Sequence, residues 1–170
     1  MNDKQKYLVS ELWILSWNAS VQRANLYAPN SEPHRSAFRA EIIAYADDKI
    51  IPQYRSAVSS KVHESNILKL SKRGTEIGAG ILRAAGYKVG IAQKLLNLQL
   101  KYLWCSGLIE EPPHCPIDRI IINKTSLLDQ VNWTGMVSID EYRRVIHAVE
   151  NEASLVGKSL AQWELEVYNR

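Results

Sequence analysis

Lys94 and Asp118 are the two residues of this chain whose types and surroundings best suit chemistry. A lysine amine held neutral is a nucleophile, and a carboxylate can stabilise a developing cation or accept a proton. Lys94 falls in the first turn of an apolar stretch that follows the connection Gly86-Tyr87-Lys88-Val89-Gly90. Asp118 is the only acidic residue between Glu111 and Asp129 and sits among Ile117, Ile120 and Ile121. A carboxylate left unpaired in such company is costly, so it needs a partner or a function. Purely structural roles compete with these. Lys94, Asn97 and Lys101 recur at helical spacing and could be the wet stripe of an otherwise apolar helix. Asp118 could cap the element that follows it, or pair with Arg119 or a distant base.

The elements that must position these groups read as helices. Leu8, Leu12, Leu15 and Ala19 recur at helical spacing between Tyr7 and Tyr27, and Pro29-Asn30 ends that pattern. Ser31, ahead of Glu32-Pro33, is the expected cap of a second helix with Phe38, Ile42, Ile43 and Ala46, which must stop or bend before Pro52. A short third helix is expected over about 62–70, and a small-residue apolar stretch follows over 75–85. Ile91 to Trp104 is a strongly apolar helix ended by Gly107. The loop 109–116 carries three prolines, and a short helix is expected after it over 117–122. Ser138 with Glu141 and Ser159 with Gln162 have capping-box spacing, which places two more helices on either side of Gly157. The expectation is therefore an all-α fold, one multi-helix domain over 1–170.

Composition narrows the function classes. The net charge of +3 hides an uneven distribution: residues 61–104 hold eight basic side chains (Lys61, Lys69, Lys72, Arg73, Arg83, Lys88, Lys94, Lys101) against two acids, Glu64 and Glu76. Such an excess is what phosphate binding leaves in a sequence, although a solvated helical surface leaves it too. Unpaired N–H groups at the turn and at the start of the helix from Ile91 lie at the positive end of a dipole, where a DNA phosphate can sit. No apolar run is long enough to span a membrane, and the first residues lack a secretory pattern, so a cytoplasmic location is expected. Cys105 and Cys115 are too few for a disulfide framework, and His114-Cys115 lacks the further ligands zinc needs, so neither metal nor cofactor is expected. Gly78-Ala79-Gly80 is followed by Arg83 where a dinucleotide fingerprint requires a third glycine. A Gly-x-Ser-x-Gly elbow and a His-Glu-x-x-His pair are both missing.

Two short motifs carry a family resemblance. Gly90-Ile91-Ala92-Gln93-Lys94 resembles the Gly-hydrophobic-Gly-x-Lys hairpin of the helix-hairpin-helix DNA glycosylases, with Ala92 at the second glycine. Pro116-Ile117-Asp118-Arg119 resembles that superfamily's hydrophobic-Asp segment. The likeness covers about residues 75–122, with the helix-hairpin-helix at 75–104 and the catalytic loop segment at 109–122.

The resemblance implies an enzyme that flips a modified or damaged base out of DNA and breaks its glycosidic bond. Asp118 would stabilise the cationic sugar. Lys94 would attack the sugar carbon, form a Schiff base and give lyase activity, helped toward its neutral form by burial and by Lys88 or Lys101. Gly86, Lys88, Gly90, Ile91, Ala92 and Gln93, with Arg83 and Lys101, would hold DNA. Trp13, Trp17, Trp104, Trp133 and Trp163, with Tyr45 and Tyr102, read as core residues first, and His114 as a surface imidazole; Trp13 and Trp17, together with His114, are the candidates for a base pocket. Foreign DNA such as that of a phage is one setting, with no residue that points to it. The competing expectation is a non-catalytic helical DNA-binding module whose acidic C-terminal third meets a protein partner; a third is a helical interaction protein that binds no nucleic acid.

Overall fold

Capping chemistry sets most of the helix boundaries. In the computed structural model, which describes residues 1–168, Asn2 and Gln5 form a reciprocal capping box at the start of α1 (Asp3–Val21). Ser59 accepts a hydrogen bond from the Val62 amide to open α3 (Ser60–Ile77). Ser138 and Glu141 form the expected capping box of α6 (Ile139–Leu155), and Ser159 accepts from the Gln162 amide to open α7 (Leu160–Val167). Asp118 caps α5 (Arg119–Ile122). Ser31 departs from expectation: it stands before α2 (Glu32–Lys49), but its hydroxyl donates back to the Ala28 carbonyl and no helix amide uses it. A 3-10 turn, Ile51–Arg55, takes up Pro52. Gly107 and Gly157, at φ +67° and +65°, end α4 (Val89–Cys105) and the turn after α6, conformations that glycine adopts without strain.

The fold is all-helical, and among the described residues its only strand-like pairing is one bridge between Tyr27 and Leu82. α4 is its axis. α1 and α3 pack along α4, while α6 and a 3-10 turn at Trp133–Gly135 close over the remainder. Ile91, Leu95, Leu96 and Leu100 are fully buried, each worth about 1.5–3 kcal/mol of apolar burial. The same helix also buries Gln93, Lys94, Asn97 and Gln99. That rules out the wet stripe: from Val89 to Leu100 the helix is enclosed on all sides, so its polar residues there must find partners inside, and only its last turn, ending at the exposed Cys105, reaches solvent.

The expected hairpin over 75–104 is not formed as a helix-turn-helix. α3 runs on to Ile77, and 78–88 is a succession of turns in which Ala28 donates to Ile81 and Arg83 to Leu26. Gly78 and Gly80 interrupt the small-residue stretch that looked helical, Gly80 with φ +79°. The first turn of α4 is covered. Gly90 donates its amide to the Met136 carbonyl, and a Cβ on Gly90 would lie 1.8 Å from the Trp133 carbonyl oxygen. Gly90 is a glycine because another backbone crosses it, not because a phosphate approaches. The link Gly157-Lys158-Ser159 contains a Gly-Lys-Ser triplet, but Glu152 stands where a phosphate loop has its first glycine, and a helix rather than a strand precedes it. No helix among the described residues is long and apolar enough to cross a membrane.

Candidate active site

Adjacent residues on α4 hold adjacent residues of the loop before α5. The Gln93 amide clamps the Ile117 backbone at two points, Nε2 donating to its carbonyl at 2.8 Å and Oε1 accepting from its amide at 3.1 Å. One residue on, Lys94 Nζ donates to Asp118 Oδ2 at 2.7 Å. The other oxygen of Asp118 accepts from the Ile121 amide at 3.1 Å. The carboxylate thus serves as a helix cap and an ion-pair partner at once. The Lys94 side chain is 5% exposed and that of Asp118 13%. They are nearly sealed, but not entirely: both line a cleft of about 170 Å³ whose walls include Leu98, Trp133 and Tyr168 and whose mouth carries Arg23 and Arg119. Asp118 is the only acidic residue in its lining among the described residues.

A second pair lies further along the same helix. Lys101 Nζ donates to Glu164 Oε2 at 2.7 Å and sits 4.8 Å from the centre of the Tyr168 ring. Burial pushes the Glu164 carboxyl up, opposed by Lys101, and Lys94 and Asp118 also act on it electrostatically. Cys115 feels both lysines and Glu164, yet burial drives its thiol well above the usual range. It remains protonated and is no nucleophile.

Behind the cleft runs a buried polar chain. Asn97 donates to Gln93 Oε1 at 3.2 Å and to the Tyr142 hydroxyl at 3.1 Å; that hydroxyl meets His114 Nδ1 at 2.9 Å. The His114 ring packs edge-on to His63, 4.8 Å between centres, and His63 Nδ1 meets the Tyr54 hydroxyl at 2.7 Å. Burial lowers the affinity of both imidazoles for a proton, His114 to about 4 and His63 well below its ordinary value, the latter also by the neighbouring ring. Both are neutral near pH 7.

The structure redistributes the residues that the sequence singled out. Ile91, Ala92 and Gln93 are fully buried and Gly90 is crossed by backbone, so none of the four is open to DNA. Gln93 positions the aspartate loop instead. Lys101 is committed to Glu164. Gly86, at φ +64°, packs against Thr75, and Lys88, half-buried, is the residue before α4; neither lines the cleft. Arg83 is exposed and lines a neighbouring depression. Trp17 stacks on Tyr87 and meets Phe38 edge-on in the core. Trp13 donates to Asp47 and lines a cavity of about 660 Å³, a mostly apolar groove between α1 and α2, away from Lys94 and Asp118. His114 is 1% exposed rather than a surface imidazole. None of these three forms a base pocket at the cleft. The aromatic groups there are Trp133 and Tyr168, which no local spacing rule connects to Lys94; only tertiary packing does. Among the described residues no group of three or more His, Cys, Asp or Glu could hold a metal ion. No family model, curated protein or solved structure matches the chain.

Proposed function

We propose that this protein is a DNA glycosylase with lyase activity, excising a modified or damaged base that has been flipped out of the duplex. The reading is carried by one observation: Lys94 and Asp118 meet at 2.7 Å, nearly buried, inside a cleft with an aromatic wall and two arginines at its mouth. Buried charge pairs are weak contributors to stability, so their presence at an opening is better explained by chemistry. In the reaction the base departs with the glycosidic electrons while Asp118, as carboxylate, opposes the positive charge that builds on the sugar. Lys94 then bonds to the same sugar carbon through its nitrogen electron pair, its proton passing to Asp118, the acceptor within hydrogen-bond reach. The ring carbon–oxygen bond breaks with its electron pair leaving on the oxygen, which makes the sugar–lysine bond a Schiff base. The two protons given up by the ammonium end on the departed base and on the ring oxygen, and the Schiff base prepares strand cleavage. Trp133 supplies a flat apolar wall of the kind an extruded base packs against.

The test mixes the full chain with duplex oligonucleotides carrying candidate lesions or an abasic site, in the presence of borohydride. A covalent adduct that is lost in Lys94→Gln supports the proposal. Base release that survives Lys94→Gln and vanishes in Asp118→Asn assigns the attack to water and removes the lyase step. Well-folded protein that binds DNA yet releases no base and traps no abasic sugar overturns the enzymatic reading in favour of a non-catalytic DNA-binding module.

A further inference from the structure

A strand led to the Lys94–Asp118 cleft needs phosphate contacts, and the covered start of α4 does not offer them. We propose that the DNA backbone instead follows a track of arginines, Arg119 and Arg23 at the mouth of the cleft and Arg83 beyond it; this rests on the DNA reading given above.

Two depressions meet at one residue. The cleft holding Lys94 and Asp118 shares Gln22 with a second depression lined by Asn25, Tyr27, Arg35 and Arg83. Among the described residues this second depression has no acidic side chain in its lining, and it is predominantly polar. Its shape comes from chain segments far apart in sequence. The Tyr27–Leu82 bridge, with hydrogen bonds from Ala28 to Ile81 and from Arg83 to Leu26, ties the loop after α1 to the turns after α3. That pairing brings Arg83 into one depression with Arg35, which lies 4.5 Å over the Tyr27 ring and is held by Glu32 at 2.7 Å, so Arg83 is the arginine left without a carboxylate there. Arg23, Arg83 and Arg119 are exposed and enter no ion pair among the described residues. Exposed arginines without carboxylate partners, in the lining of the ionic cleft and of the depression that meets it, complement a chain of phosphates, and guanidinium forks match phosphate oxygens. The basic side chains of α3, such as Lys69 and Lys72, face solvent outside both depressions.

The experiment measures the affinity of the full chain for a labelled duplex with an abasic site across a salt series. Arg23→Gln and Arg83→Gln each lower the slope of log affinity against log salt by about one, and the double variant by about two. Lys69→Gln and Lys72→Gln leave the slope unchanged. Equal losses in the lysine variants, a wild-type slope in the double variant, or no duplex binding by the wild type overturns the track. Borohydride trapping on the same samples separates this from the enzymatic proposal. An adduct on Lys94 with a wild-type slope in the arginine variants sinks the track alone. A slope lost in those variants, without release or trapping on any substrate, sinks the enzyme and keeps the track.

Discussion

Two lysines on one helix, Lys94 and Lys101, each meet a carboxylate at 2.7 Å, yet the two pairs are built differently. Asp118 comes from a loop and shares its charge with a backbone amide at the edge of a cleft. Glu164 comes from the middle of α7, is 2% exposed in its side chain, and faces a lysine covered by the Tyr168 ring. Burial and pairing are common to both. The setting is not: the Asp118 side chain is 13% exposed against 2% for Glu164, the amines run the other way at 5% for Lys94 and 13% for Lys101, and the first pair but not the second lines the cleft.

Substitutions can break that contrast in order of size. Asp118→Asn keeps the shape but loses the negative charge opposite the sugar, and single-turnover base release falls by about 10²–10⁴-fold. A rate unchanged by this variant removes the distinction between the pairs. Lys101→Met strands the buried Glu164 charge and destabilises the fold by about 3 kcal/mol in denaturant titration, while adduct formation per folded molecule persists. The double variant Lys101→Met/Glu164→Leu recovers most of that loss, because an apolar pair of similar volume replaces the stranded charge. Loss of adduct in folded double variant would mean that the second pair takes part in the chemistry.

A third kind of buried polar group sharpens the contrast: His63 and His114 are neutral rather than paired. Their folded-state proton affinities lie below the unfolded value of about 6.5. Below that pH the unfolded chain binds protons that the folded chain refuses, so stability is fully present above about 6.5 and declines as pH falls toward 4. The expected slope is about 1.4 kcal/mol per pH unit for each imidazole, and His114 alone accounts for up to about 3 kcal/mol by pH 4. Urea titrations between pH 7 and 4 measure this, and a flat profile contradicts the neutral assignment. The smallest effect belongs to a site away from all three. Ser138→Ala removes the α6 capping box and costs about 1 kcal/mol, with no change in adduct yield.

Local chemistry made much of the fold legible. Ser138 with Glu141, Ser159 before Gln162, Gly107 and Gly157 act within a few residues, and the helices begin and end where these signals stand. Asp118 was legible as a carboxylate in need of a partner for the same reason: its neighbours in sequence are apolar. Its meeting with Lys94 followed from the motif order rather than from periodicity. The surroundings were illegible because they depend on which helix lies at the centre. Periodicity cannot tell a wet stripe on α4 from polar groups sealed by α1, α3 and α6, so Gln93 looked like a DNA contact and proved a clamp on Ile117. Gly90 likewise fitted a phosphate turn, and only the crossing of the Trp133 carbonyl shows what the missing side chain makes room for.

The division of labour within the Asp118 carboxylate ties charge to chain geometry. One oxygen is fixed by the Ile121 amide and the other by Lys94, so the group cannot turn from the amine without unseating the first turn of α5. Its aim is therefore a property of the main chain: an extra residue between 118 and 121 would swing the carboxylate aside without removing any ionisable group from the sequence.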